Sequence, residues 1–126
     1  MSQIWEINGL SLELDTEDYE TAQKYKMAFE KMETEEKALK KDGSAGEFIK
    51  NYSLLFYHLF DNLFGKGTGE KIFKGKYNSR VCDEVYEDFL NFVKNQQIEA
   101  ANRRNDFVGR YIPQYRNRNQ RRHEKR

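Results

Sequence analysis

The residues most suggestive of chemistry lie in a glycine-rich stretch, FGKGTGEKIFKGKY, at positions 64–77. Glycines beside lysines and a threonine are typical of loops whose backbone amides bind phosphate. A Walker-type loop beginning at Gly65, however, requires a second glycine at the position that Glu70 occupies. The glycine spacing also differs from the dinucleotide-binding pattern, and a predicted helix, not a strand, precedes it. We therefore predict a structural corner, with a loose anion or peptide site as the alternative.

Within this corner, each residue type has a structural use. Gly65 is suited to a left-handed conformation that ends the preceding helix. Thr68 is predicted to cap a short turn, GEKIF, whose apolar side chains would close one edge of the core. Gly75 is predicted to end that turn.

His58 is the main candidate for acid–base chemistry. Asp61 follows it at i+3 on the same predicted helix, a spacing that could orient an imidazole. No sequence pattern places a serine or cysteine nucleophile beside it, and Cys82 lies on a different predicted helix. A single histidine among aromatic residues is more often structural. We therefore predict no catalytic residue and no enzymatic activity.

Four carboxylates follow one another at helical spacing: Asp83, Glu84, Glu87 and Asp88. Pairs at i,i+4 could hold a hard cation, but the pattern lacks a further ligand or an oxygen-rich loop. We predict a solvated acidic face, with a docking site for basic tails of neighbouring subunits as a hypothesis. Cys82 is the only cysteine, so neither a disulfide nor a cysteine metal cluster is expected. No metal and no cofactor is predicted.

The basic residues are concentrated near the end of the sequence. Residues 103–126 carry nine Lys or Arg and two acids, a net charge of +7, whereas residues 1–102 carry −6. Arginine pairs with phosphate through its planar fork, so the segment could bind nucleic acid. Because the acidic remainder of the chain would repel nucleic acid, we favour the alternatives, docking on an acidic protein or no partner. The predicted contact residues are Arg116, Arg118, Arg121, Arg122 and Arg126.

The first predicted element is a β-hairpin in IWEINGLSLELD. Asn8-Gly9 is the preferred pair for a type I′ turn. A turn there pairs Ile7 with Leu10 and Trp5 with Leu12, and it places the apolar side chains on one face. Because an isolated hairpin is marginally stable, that face must cover a helix or pair with another subunit.

Apolar periodicity then predicts three long helices and the short turn. Asp15 and Thr16 are candidate caps for a first helix that runs towards Lys41. Ser44 and Glu47 form a capping box for a second helix ending near Phe64. Asn78-Ser79 would cap a third helix that ends near Gly109. The predicted fold class is therefore mainly α (α+β), with a single helical domain at 1–112 including a hairpin at 3–14, and a basic, flexible tail at 113–126.

Composition limits the environment of the protein. The chain of 126 residues has no apolar run long enough to span a bilayer, and MSQIWEINGL lacks the pattern of a secretory signal. With one cysteine, these features predict a cytoplasmic protein.

The order of these elements resembles a known group of proteins. An N-terminal W-x-I-N-G hairpin, an acidic helix, and the stretch LFDNLFGKGTGEKIFKGKYNSRVCDEVYEDFLNFV are similar to tail assembly chaperones and related tail components of long-tailed phages of Gram-positive bacteria. The likeness covers roughly residues 3–95 and does not include the basic ending. It implies a mainly helical, non-enzymatic protein of the bacterial cytoplasm that binds tape-measure or other tail proteins during tail assembly.

A binding role of this kind requires apolar contact residues. The predicted anchors for an amphipathic partner helix are Trp5, Phe29, Phe56 and Phe60, provided that the core does not use them. Self-association through the hairpin edges is also expected. The alternative function is a small nucleic-acid-binding accessory protein that acts through its basic arm.

Overall fold

The computed structural model describes residues 3–40 and 43–111. In these residues an antiparallel hairpin precedes four helices, which confirms the predicted fold class. The elements are β1 (Ile4–Ile7), β2 (Leu10–Glu13), α1 (Tyr19–Lys37), α2 (Ala45–Phe64), α3 (Thr68–Phe73) and α4 (Ser79–Tyr111). The predicted boundary between domain and tail lies outside the described residues.

The hairpin has the predicted register. Trp5 pairs with Leu12 and Ile7 with Leu10, and Asn8 and Gly9 have φ of 49° and 81°, both positive as a type I′ turn requires. The apolar face covers the helices, and Trp5 is only 2% exposed. The Asn8 side chain also donates to the Ile72 carbonyl at 3.0 Å. The hairpin is thus stabilised by the helical body of its own chain.

Helix α1 is shorter than predicted at both ends. Its N-cap is Asp18, not Asp15 or Thr16, because the Asp18 carboxylate accepts from the Thr21 amide at 3.0 Å. The helix ends at Lys37, and Leu39 beyond it packs against the core. The polar residues of the last turns give the helix little apolar surface to bury, so continuing it would stabilise nothing.

Helices α2 and α3 meet at the glycine-rich corner. Ser44 caps α2 as predicted, accepting from the Glu47 amide at 3.1 Å. The N-cap of α3 is Gly67, not Thr68, and it has no side chain that could cap the helix. Thr68 is the first residue of α3. The prediction for Thr68 was wrong because Asp61 of α2 supplies the cap, accepting from the Gly69 amide at 2.7 Å.

Helix α4 contains 33 residues and is therefore about 50 Å long. It begins at Ser79, as predicted, and the Asn78 side chain accepts from the Val81 amide at 3.2 Å. It continues to Tyr111, two residues beyond the predicted end. Pro113 lies outside the described residues.

The core joins the hairpin to all four described helices. At its centre Trp5 stacks near Phe60 and Phe64, with ring centroids 5.4 and 6.0 Å away, and it meets Phe89 edge-on at 5.1 Å. Such ring pairs add to the free energy of burial. Among residues 3–40 and 43–111, no helix combines the length and apolar character needed to cross a membrane.

Candidate protein-binding surfaces

The glycine-rich corner has the geometry of a packed connection. Gly65 has a positive φ of 116° as predicted, but its ψ of 153° is extended and not left-handed helical. The Gly69 amide is already bound by the Asp61 carboxylate, which would repel a phosphate at that position. A Cβ on Gly69 would lie 2.7 Å from both the Cα and the carbonyl oxygen of Tyr57. The glycine is therefore required for the close approach of α3 to the α2 backbone.

His58 does not form the predicted pair with Asp61. Its Nδ1 lies 2.6 Å from Glu35 Oε2 on α1, at a position half exposed to solvent. Asp61 instead holds the Gly69 amide. Cys82 is fully buried, and burial raises the pKa of its thiol, which disfavours the nucleophilic thiolate. His58 and Asp61 therefore connect α2 to α1 and to α3, and Cys82 is a core side chain.

In the predicted acidic face of α4, two carboxylates accept hydrogen bonds from aromatic side chains of other elements and two face solvent. Asp88 accepts from the Trp5 indole at 2.8 Å, and Asp83 accepts from the Tyr52 hydroxyl at 2.5 Å. Glu84 and Glu87 are exposed. No cluster of three or more metal-ligating side chains occurs in the described parts of the chain.

Three of the four predicted partner anchors belong to the core. Trp5, Phe56 and Phe60 are each at most 3% exposed, and only Phe29 is half-buried. They are therefore unavailable to a partner in this conformation. Periodicity could not separate these roles, because an aromatic stripe has the same spacing whether it meets its own helices or another protein.

A first open groove, the α1–α2 groove, lies between the end of α1 and the first half of α2. It has a volume of about 550 Å³ and an apolar floor that includes Leu39, Leu54 and Leu55. Its rim carries Glu35 and His58, together with Lys40 beyond the end of α1 and Glu47 in the first turn of α2. The mixture of leucine floor and charged rim can accept an amphipathic segment.

A second cavity, the α1–α4 groove, is floored by α2 and walled by α1 and α4, with a volume of about 290 Å³. Its lining consists of Phe29, Met32, Glu33, Glu36, Tyr52, Leu55, Phe56 and Tyr86. The centroids of the Phe29 and Tyr86 rings are 6.4 Å apart where the two walls approach. The lining contains aromatic rings and two carboxylates, and it contains no lysine or arginine.

Neither groove was foreseen from the sequence, and nor was the polar contact that joins the hairpin to α4. Gln96 is 2% exposed, accepts from the Thr16 amide at 2.8 Å and donates to the Leu14 carbonyl at 2.9 Å. Its position seven residues after Phe89 continues the apolar stripe of α4. That spacing was a usable signal for a buried polar residue.

The predicted basic contacts cannot be placed. Arg116, Arg118, Arg121, Arg122 and Arg126 lie outside the described residues. Closer to the body, Arg103 of α4 forms an ion pair with Glu17, and the Arg104 guanidinium lies 3.9 Å from the same carboxylate.

Comparison with known proteins gives one match. No curated protein and no solved structure matches the chain. A family model described as a family of unknown function, DUF6673, matches residues 8–125. That match spans the hairpin turn, all four described helices and the basic segment, and the chain therefore belongs to the DUF6673 family.

Proposed function

We propose that this protein is a non-enzymatic assembly chaperone for the tails of long-tailed phages or prophages. In this role it binds a tape-measure protein or another tail component in the bacterial cytoplasm before assembly. The observation that carries the proposal is the open α1–α2 groove, which supplies an apolar surface although three of the four predicted aromatic anchors are used in the core.

The groove suits a helix with one apolar face. Leu54 and Leu39 are half-buried, so they retain surface that a partner can cover. Met27 on the adjoining surface of α1 is 54% exposed, and Glu35 lines both that surface and the groove. Between Met27 and the groove, the surface of α1 is polar and charged. A partner would therefore meet the leucine floor of the groove beside a charged border, which favours an amphipathic helix over a small polar substrate.

The side chains able to do chemistry support binding over catalysis. His58 pairs with Glu35, Asp61 caps α3, and Cys82 is buried. A nucleophile needs a neighbouring base and an accessible position. His58, Asp61 and Cys82 do not together provide these two conditions.

The test is co-purification of the full chain with candidate tail proteins expressed in the same cell. Ala38→Glu places a charge in the groove at an exposed position that should not disturb the core. We expect it to weaken capture at least about tenfold, the effect of one unfavourable charge in an apolar contact. Ile98→Glu, at an exposed position on α4 outside the groove, is the matched control. Equal capture by both variants, or no capture by the native chain, would contradict the proposal.

The charge distribution supports an alternative function, nucleic-acid binding through the basic segment. Residues 103–126 carry +7 beside an acidic remainder of −6. Binding of this type should weaken steeply between about 50 and 200 mM salt. Deletion of 114–126 should abolish it, whereas capture of a tail protein by the α1–α2 groove should survive that deletion.

A further inference from the structure

The α1–α4 groove offers a combination of groups that matches one type of side chain. Rings from Phe29, Tyr52, Phe56 and Tyr86 line it together with the carboxylates of Glu33 and Glu36. A guanidinium can stack on an aromatic face while it donates to a carboxylate, and it is more weakly hydrated than an ammonium group. The groove is therefore suited to arginine.

Glu36 is the acidic group best placed to receive that cation. Glu33 already lies 3.1 Å from the Lys37 ammonium. In the part of the chain that the structure describes, the Glu36 carboxylate forms no hydrogen bond or ion pair. Burial raises the pKa of Tyr86 and the Glu36 charge adds to that shift, whereas for Tyr52 the contribution of Glu36 is smaller than those of burial, Asp83 and Cys82.

The same chain contains a segment of the complementary chemistry. Residues 112–126 include five arginines, one lysine and a single acidic residue, Glu124. We propose that this segment of a second copy of the protein docks in the α1–α4 groove, with arginine side chains against Glu36 and the half-buried rings of Phe29, Tyr52 and Tyr86.

The length of α4 favours a second copy over docking within one chain. Tyr86 and Tyr111 are 25 residues apart on one helix, so about 37 Å separate them. Arg116 is five residues beyond Tyr111 and can reach back at most about 18 Å, and Arg118 about 25 Å. Arg121 and Arg122 reach about 36 and 40 Å by the same measure, so they could reach their own groove only at full extension, and the two earlier arginines cannot reach it. A neighbouring copy has no such restriction.

Docking of this kind joins unlike surfaces, the groove of one copy and the basic segment of the next. Such head-to-tail contacts produce rings or open chains, whereas two-fold dimers use the same surface twice. This difference allows the proposal to be tested by complementation between two variants.

The experiment measures self-association of the full chain by sedimentation over a range of protein concentrations. The groove variant is Glu36→Lys, and the segment variant replaces Arg116, Arg118, Arg121 and Arg122 with Gln. Each alone should self-associate at least about tenfold more weakly than the native chain, because charge-assisted contacts are lost. An equimolar mixture should form a one-to-one heterodimer, since one variant retains the segment and the other retains the groove.

Glu99→Lys makes the same charge change at an exposed position of α4 outside the groove and away from the acidic face of Asp83 to Asp88, and it should leave self-association unchanged. Circular dichroism checks that Glu36→Lys remains folded, as expected for an exposed side chain. A native chain that stays monomeric, a mixture that stays dissociated, or equal effects of the two glutamate substitutions would overturn the proposal. These results are independent of whether the α1–α2 groove binds a tail protein.

Discussion

At the scale of single residues, tyrosine hydroxyls connect buried rings to the polar surface. Tyr57 is buried against Phe73 and Tyr77, and its hydroxyl donates to the Lys76 carbonyl at 2.7 Å. Burial raises the pKa of Tyr57 to about 12, and burial together with the Asp83 carboxylate raises that of Tyr52 to about 12. Both residues therefore resist ionisation in the folded state.

The higher pKa of Tyr57 in the folded state than in the unfolded state predicts a loss of stability in alkaline solution. The unfolded tyrosine titrates near pH 10.0 and the folded one near 12, so the stabilisation is complete below pH 10.0 and is lost as the pH rises to about 12. Tyr57→Phe should cost about 1 kcal/mol at neutral pH through the lost hydrogen bond. It should also make the decline between these pH values shallower. Denaturant unfolding at a series of pH values measures both effects, and an unchanged slope in Tyr57→Phe would contradict the assignment.

Sequence patterns anticipated the environment of some residues and not of others. The hairpin alternation placed Trp5 on the inner face, because strand periodicity depends only on neighbouring residues. Its partner Asp88 lies 83 positions away and was assigned to a solvated face. A local pattern contains no information on which distant donor an acid will meet, so polar contacts between elements had to come from the structure.

At the scale of elements, the α2–α3 corner is fixed by one hydrogen bond and one close approach. Asp61 holds the first turn of α3, and Gly69 brings that turn against the Tyr57 backbone. The corner in turn buries Ile72 and Phe73, which are 1% and 5% exposed. Placement of these two side chains therefore depends on a residue without a Cβ.

Substitution of that glycine tests the argument. Gly69→Ala would place Cβ 2.7 Å from two Tyr57 backbone atoms, which cannot move aside as a flexible side chain can. We expect a loss of about 1–3 kcal/mol in the free energy of unfolding, the usual cost of overpacking. Gly46→Ala is the control, because its Cβ would meet nothing within 4 Å in the first turn of α2. It should be neutral or stabilising by up to about 1 kcal/mol. Similar losses for both variants in denaturant unfolding would refute the close-packing argument.

The elements themselves were more predictable than their ends. The Asn8-Gly9 turn and the Ser44 cap use interactions between near neighbours, and both were correctly predicted. The cap of α3 was missed because it comes from Asp61 on the preceding helix. The end of α1 depends on where Leu39 packs, which sequence periodicity does not contain. The two grooves likewise arise from how helices diverge after packing.

At the scale of the whole molecule, the hairpin and the helices share one core. The indole of Trp5 contacts rings from α2 and α4 and donates to Asp88. Just after β2, Leu14 is 3% exposed and its carbonyl accepts from Gln96 of α4. An isolated hairpin is marginal in water, so these contacts should make its folding conditional on the helical body.

Trp5 is the only tryptophan, so its fluorescence reports on the hairpin while far-UV circular dichroism reports mainly on the helices. For one cooperative unit the two denaturant transitions coincide. Leu14→Ala should then lower both midpoints together, at a cost of about 2–5 kcal/mol for a buried leucine. If the hairpin instead separated from a helical body that folds alone, the substitution would shift the fluorescence transition and leave the dichroism transition in place. A hairpin that depends on the helices for its core cannot give that second result, because Trp5 packs against Phe60 of α2 and Phe89 of α4, which also contact each other.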